Sequence, residues 1–156
     1  MKSSISLIVL SLGLLAFDTN AANTNFNHKG VQKGSISESC YREPCGLGKV
    51  MSFEILKKTP QTTLVKLKLV GGTRPYNSKK ITWNHNFHNV YVTCSIKNPT
   101  IQSDFDSQVT VPPINPEGSI SGVLIPDTEL YLHTCHNYKG AIEEAAKKYG
   151  YNVKEF

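Results

Sequence analysis

"NVYVTCSI" (residues 89–96) places Val90, Val92, Cys94 and Ile96 on one face of an extended chain and Tyr91, Thr93 and Ser95 on the other. That two-residue period is the signature of a strand half-buried in a sheet. Asn98-Pro99 stops it. A cysteine on the inward face matters as much as the alternation, because it offers a covalent tie from the sheet to whatever lies beneath.

Upstream, "GKVMSFEILKKTPQTTLVKLKLVGG" (residues 48–72) reads as a hairpin. In its second arm Val65, Leu67 and Leu69 share one face, and Lys66 and Lys68 the other. "KTPQTT" supplies the turn, and Gly71-Gly72 is expected to end the arm. "TRPYNSKK" then reads as a basic loop, and the Asn-rich "WNHNFHN" as an entry loop into the next strand. Between Thr100 and Pro126 the pattern is loose, with short strands expected at "SQVTV" and "GSISGVL". "TELYLHTC" is expected as a further strand carrying Tyr131, His133 and Cys135 on one face.

The period then changes. In "YKGAIEEAAKKYG" an apolar stripe runs through Ala141, Ile142, Ala145, Ala146 and Tyr149. Glu143 and Lys147, and Glu144 and Lys148, stand four apart on the opposite face. Asn137 is the expected cap at the start of this helix and Gly150 at its end, and "YNVKEF" is a candidate terminal strand. The expected fold class is α+β: mainly antiparallel β, a small sandwich or half-open barrel, with one C-terminal helix and two disulfides.

Residues 1–21 carry a short positive start, an apolar run over residues 5–17 and small residues before the expected cleavage point. This is a secretory signal pattern, too short to span a bilayer. Cleavage after Ala21 would leave 156 − 21 = 135 residues, enough for one domain with a core, here placed at residues 39–156. Residues 22–38, rich in Asn, Ser, Gly and Lys, are expected as a flexible arm. Destination outside the cytoplasm, periplasmic or secreted, makes the four cysteines a disulfide framework. Pro44 and Gly46 favour pairing of Cys40 with Cys45, which leaves Cys94 with Cys135, and no Cys-x-x-Cys knuckle supports a zinc site.

Two features bear on function. The first is charge: the chain carries +5, and Lys57, Lys58, Lys66, Lys68, Arg74, Lys79 and Lys80 fall within 24 residues that contain no acid. Such lysines commonly blunt a sheet edge. With Trp83, Phe87 and Tyr91 following, they also make a contact surface for a protein or an anionic envelope component; Arg74, Lys79, Lys80, Trp83 and Phe87 are its candidate residues. Nucleic acid is not an expected partner for an exported protein. The second feature is a pair of His-x-x-His stretches, His85/His88 and His133/His136. A metal site needs their ring nitrogens to converge, and residues three apart on a strand face opposite ways. No carboxylate stands beside either pair to orient the rings. A histidine hydrolase or nuclease, with His85 or His133 as base and Arg74, Lys79 or Lys80 at a phosphate, is the remaining alternative. No nucleophile elbow or phosphate-binding loop is present, no catalytic residue stands out and no cofactor is implied. The function expected is that of a small binding protein acting by surface contact, of the inhibitor or immunity class.

Overall fold

The computed structural model describes residues 25–155. The signal pattern of residues 1–21 lies outside them. Five strands, β1 (Ile36–Ser39), β2 (Cys45–Lys58), β3 (Thr63–Arg74), β4 (Thr82–Cys94) and β5 (Thr100–Ser103), form one antiparallel sheet in sequence order. Helices α1 (Ile125–His136) and α2 (Ile142–Tyr149) follow. The sheet stays open, and the second layer over its inner face is helical. The expected α+β class and both expected disulfides, Cys40–Cys45 and Cys94–Cys135, are present.

The inner face follows from the alternation. Val65, Leu67 and Leu69 of β3 pair with Val92, Val90 and His88 of β4, and Ile101 of β5 continues the row from Val92. All but His88 are buried, against Tyr131, Leu132 and Cys135 of α1, Ala145 and Ala146 of α2, and Tyr151. In β2 the alternation is broken, since Val50 and Phe53 are three apart. A bulge between Val50 and Ser52 restores the face: Val50 opposes Leu69, Phe53 opposes Leu67, and Ile55 opposes Val65.

Several expectations change. "TELYLHTC" is not a strand but most of α1. Residues 131–136 are all buried, so this half of the helix has no wet face to give it a 3.6-residue period, and its alternation of large side chains mimics a strand. Asn137 does not cap α2; it ends α1 in the left-handed conformation (φ 52°), which asparagine tolerates. Gly150 ends α2 as expected, with φ 78°. "GSISGVL" forms only a 3-10 turn at Gly122–Leu124, "SQVTV" only a bridge from Thr110 to Ile101, and the terminal segment no strand among the described residues. "WNHNFHN" is not a loop but lies within β4, and β3 runs past Gly71-Gly72 to Arg74.

The segment read as a flexible arm is in part structural. Val31, in a 3-10 turn at Lys29–Val31, is 1 % exposed in the core. The Asn27 N–H donates to the Cys135 carbonyl (2.9 Å), and β1 occupies residues assigned to the arm. The ordered domain therefore begins well before residue 39.

The helical layer is tied to the sheet at one place. Cys94 ends β4, and its bond to Cys135 spans 41 residues with a Cα–Cα distance of 5.5 Å. Cys94→Ala/Cys135→Ala is expected to lower unfolding free energy by about 4 kcal/mol on loop entropy, read as a lowered urea midpoint. An unchanged midpoint would show that packing alone holds the layers.

Candidate functional site

The outer face of the sheet is solvent-facing and carries cations beside aromatic rings. Lys66 opposes Tyr91 across β3 and β4, with its Nζ 5.9 Å from the ring centre. Lys68 lies 5.4 Å over Phe87, and Lys49 of β2 lies 5.9 Å over Trp83. Trp83 rests against Gly72, where an added Cβ would stand 2.7 Å from its ring. Phe87 is 51 % exposed. Among the described residues only two ion pairs form, Arg74 with Glu38 and Lys154 with Glu117. Lys49, Lys66, Lys68, Lys79 and Lys80 thus have no carboxylate partner there, although Glu54 stands opposite Lys66.

Arg74 does not belong to this surface. Its Nε donates to Glu38 (2.7 Å), its Nη1 to the carbonyls of Pro75, Tyr76 and Ser78, and its Nη2 lies 3.7 Å from the Cys45 sulfur. The guanidinium fastens β1, the first disulfide and the loop after β3, and is not free to meet a phosphate. Glu38, Cys40 and Cys45 bring potential ligand atoms together, but both sulfurs are bonded to each other and offer no thiolate. Lys79 and Lys80 are exposed in the β3–β4 loop.

The four histidines divide. His85 is exposed and takes φ 59° at an irregularity of β4, so the left-handed residue of the Asn-rich stretch is a histidine. His88 points to the inner face and packs 5.2 Å from Phe105. His133 and His136 lie on α1, and among the described residues no cluster of three potential metal ligands includes a histidine.

His136 belongs to a buried hydrogen-bond chain. Its Nε2 is 2.7 Å from the Tyr151 hydroxyl, which is 3.0 Å from the Tyr131 hydroxyl, which meets both N–H and C=O of Ser95 at 2.9 Å. One direction satisfies every member: His136 Nε2–H donates to Tyr151, Tyr151 to Tyr131 and Tyr131 to the Ser95 carbonyl, while Ser95 N–H donates to Tyr131. Burial pushes the Tyr131 phenol up to about 12 and raises Tyr151 as well. His136 also stacks on Tyr149 at 3.9 Å. His28, which the sequence reading passed over, joins the same region: its Nδ1 meets the Thr134 carbonyl at 2.8 Å.

Burial holds His136 down to about 4, with the nearby His28 and Lys148 adding to it, and holds His133 down to about 4, with Lys139 adding. Both are neutral in the fold. Unfolding lets each take up a proton near its ordinary 6.5, so their contribution to stability is complete above pH 6.5 and is lost as pH falls toward 4. Urea titrations are expected to show stability falling across this window, with each histidine adding a slope of up to about 1.4 kcal/mol per pH unit. His133→Gln should flatten that slope; an unchanged slope would mean His133 protonates freely in the fold. Tyr151→Phe removes the middle of the chain and leaves the His136 N–H without its acceptor, costing about 1–3 kcal/mol in a thermal or urea melt.

A cleft of ≈ 1320 Å³ opens between α1 and the β1–β2 side of the inner face. Strand register explains it. Next to the row Val50–Leu69–His88 come Ser37–Gly48–Gly71 and Ser39–Gly46–Thr73–Thr82, where the inward side chains become small. A Cβ at Gly46 would meet nothing within 4 Å, and one at Gly48 only ordinary contacts. On the opposite wall α1 contributes Asp127, Glu129, Leu130 and His133. Tyr41 of the disulfide loop closes onto Gly122 at one end, where a Cβ would overlap its ring. The sequence signal for this cleft was available: glycine inside a strand often marks close approach of another group. Gly46 stands beside Pro44 and Cys45, and Gly71 beside Gly72, local contexts that hide their places inside β2 and β3.

Compared with protein families, with curated proteins and with solved structures, the chain matches none.

Proposed function

We propose that this is a secreted or periplasmic binding protein that engages an acidic protein partner through the outer face of β2–β4. The observation carrying this reading is the set of three lysine–aromatic pairs, Lys49/Trp83, Lys66/Tyr91 and Lys68/Phe87, on one solvent-facing sheet surface. Aromatic rings supply contact area at low entropic cost, and unpaired cations steer and orient an acidic surface. The bland account, that lysines only shield a sheet face, leaves Phe87 half-exposed without a role. Two disulfides fit an oxidising compartment, and no helix among the described residues is long and apolar enough to cross a membrane.

The test compares wild type with Lys66→Glu/Lys68→Glu/Phe87→Ala in cross-linked capture from an envelope fraction. An acidic protein should be captured by wild type, less so as salt rises, and lost in the variant while its melting temperature stays within a few degrees. Capture that survives in the variant, or retention by an anionic polysaccharide alone, sinks the assignment.

A further inference from the structure

Besides Ser39 Oγ on the β1 wall, two polar atoms of α1 residues that line the cleft are buried without a hydrogen-bond partner among the described residues: Glu129 Oε2 and His133 Nδ1. Both residues line the cleft, and they stand four apart on α1, one turn above the other on the same face. His133 is 4 % exposed. Native proteins rarely leave such groups unpaired, and each case asks for an explanation. A ligand group carrying several donors and no acceptor would satisfy both.

We propose that the cleft binds the free N-terminal end of a short peptide, with its ammonium group held between Glu129 and His133. An ammonium offers three N–H donors and has no lone pair of its own. The Glu129 carboxylate accepts one of these donors. The imidazole of His133, kept neutral by burial, accepts another through Nδ1. Asp127 in the same wall adds an acidic environment. A metal ion is the weaker occupant, because no third ligand atom joins this pair among the described residues.

The rest of the cleft suits a peptide better than a polyamine. Arg42, which also lines the cleft, offers a cation to a carboxylate, whereas it would repel a second ammonium. Gly46 and Gly48 of β2 let another backbone come close, while the Asn84 side chain covers Gly71. Leu69, Leu130 and Leu132 supply apolar contact for side chains. At ≈ 1320 Å³ the cleft exceeds what a single amino acid fills. This assignment does not depend on the outer face of the sheet.

The tripeptide Ala-Leu-Ala, its N-acetylated form and free leucine serve as probes, read by calorimetry and by amide shifts at pH 7. Ala-Leu-Ala is expected to bind and to shift the amides of Gly46, Gly48 and Gly71. Acetylation, and separately Glu129→Gln, should each weaken binding about tenfold, the scale of one charge-assisted hydrogen bond. Gly46→Val fills open space and should block binding without altering the melting temperature. No binding at millimolar peptide overturns the proposal, as does equal affinity for the acetylated form or shifts confined to the outer face. Free leucine binding as tightly as the tripeptide overturns the peptide assignment. The acetylation comparison needs no variant, so it stands even if a substitution disturbs the fold.

Discussion

The junction between the end of β4 and the last turn of α1 governs the rest of the molecule. There the Cys94–Cys135 bond and the paired hydrogen bonds between Tyr131 and Ser95 fasten the helical layer to the sheet, adjacent on the strand side and four residues apart on α1. A helix anchored this way is surrounded by core at its C-terminal end, which is why residues 131–136 are all buried. Burial in turn keeps His133 and His136 neutral and obliges His136 to find a partner in Tyr151. The N-terminal segment then closes over the same region through Val31, the Asn27 backbone bond and His28.

With α1 fixed there, the inner face divides into two regimes. Where β3 and β4 offer Val and Leu, the layers meet and expel water. Where β1, β2 and β3 offer Ser and Gly, nothing bulky reaches the helix and a cleft remains. The outer face has the opposite character, with cations over rings and, among the described residues, no layer above it. One sheet therefore carries two surfaces of different chemistry, separated by the thickness of a single layer.

The strands with clean alternation, β3 and β4, were legible because one face is wet and the other dry, and the residue pattern records that contrast. The pairing of the cysteines was legible because one close pair determines the other. Helix α1 was not, since its second half, residues 131–136, is buried all round and has no polar stripe to betray its period. Nor was the bulge at Met51, which moves Phe53 to the inner face by a local insertion that pairing alone reveals. Of the candidate surface, Trp83 and Phe87 do lie on the solvent side, while Arg74 is committed to internal partners; a sequence shows a charge but not what already holds it.

By itself the sequence determined the antiparallel sheet, the late amphipathic helix, the two disulfides and the basic balance, because each is written in local period or count. Tertiary structure alone decided that "TELYLHTC" coils, that the N-terminal segment packs, that the histidines part company, and that glycines from β2 and β3 line one cleft with Glu129 and His133. Those outcomes depend on which residues from distant parts of the chain meet, and contact across space leaves no period in the sequence.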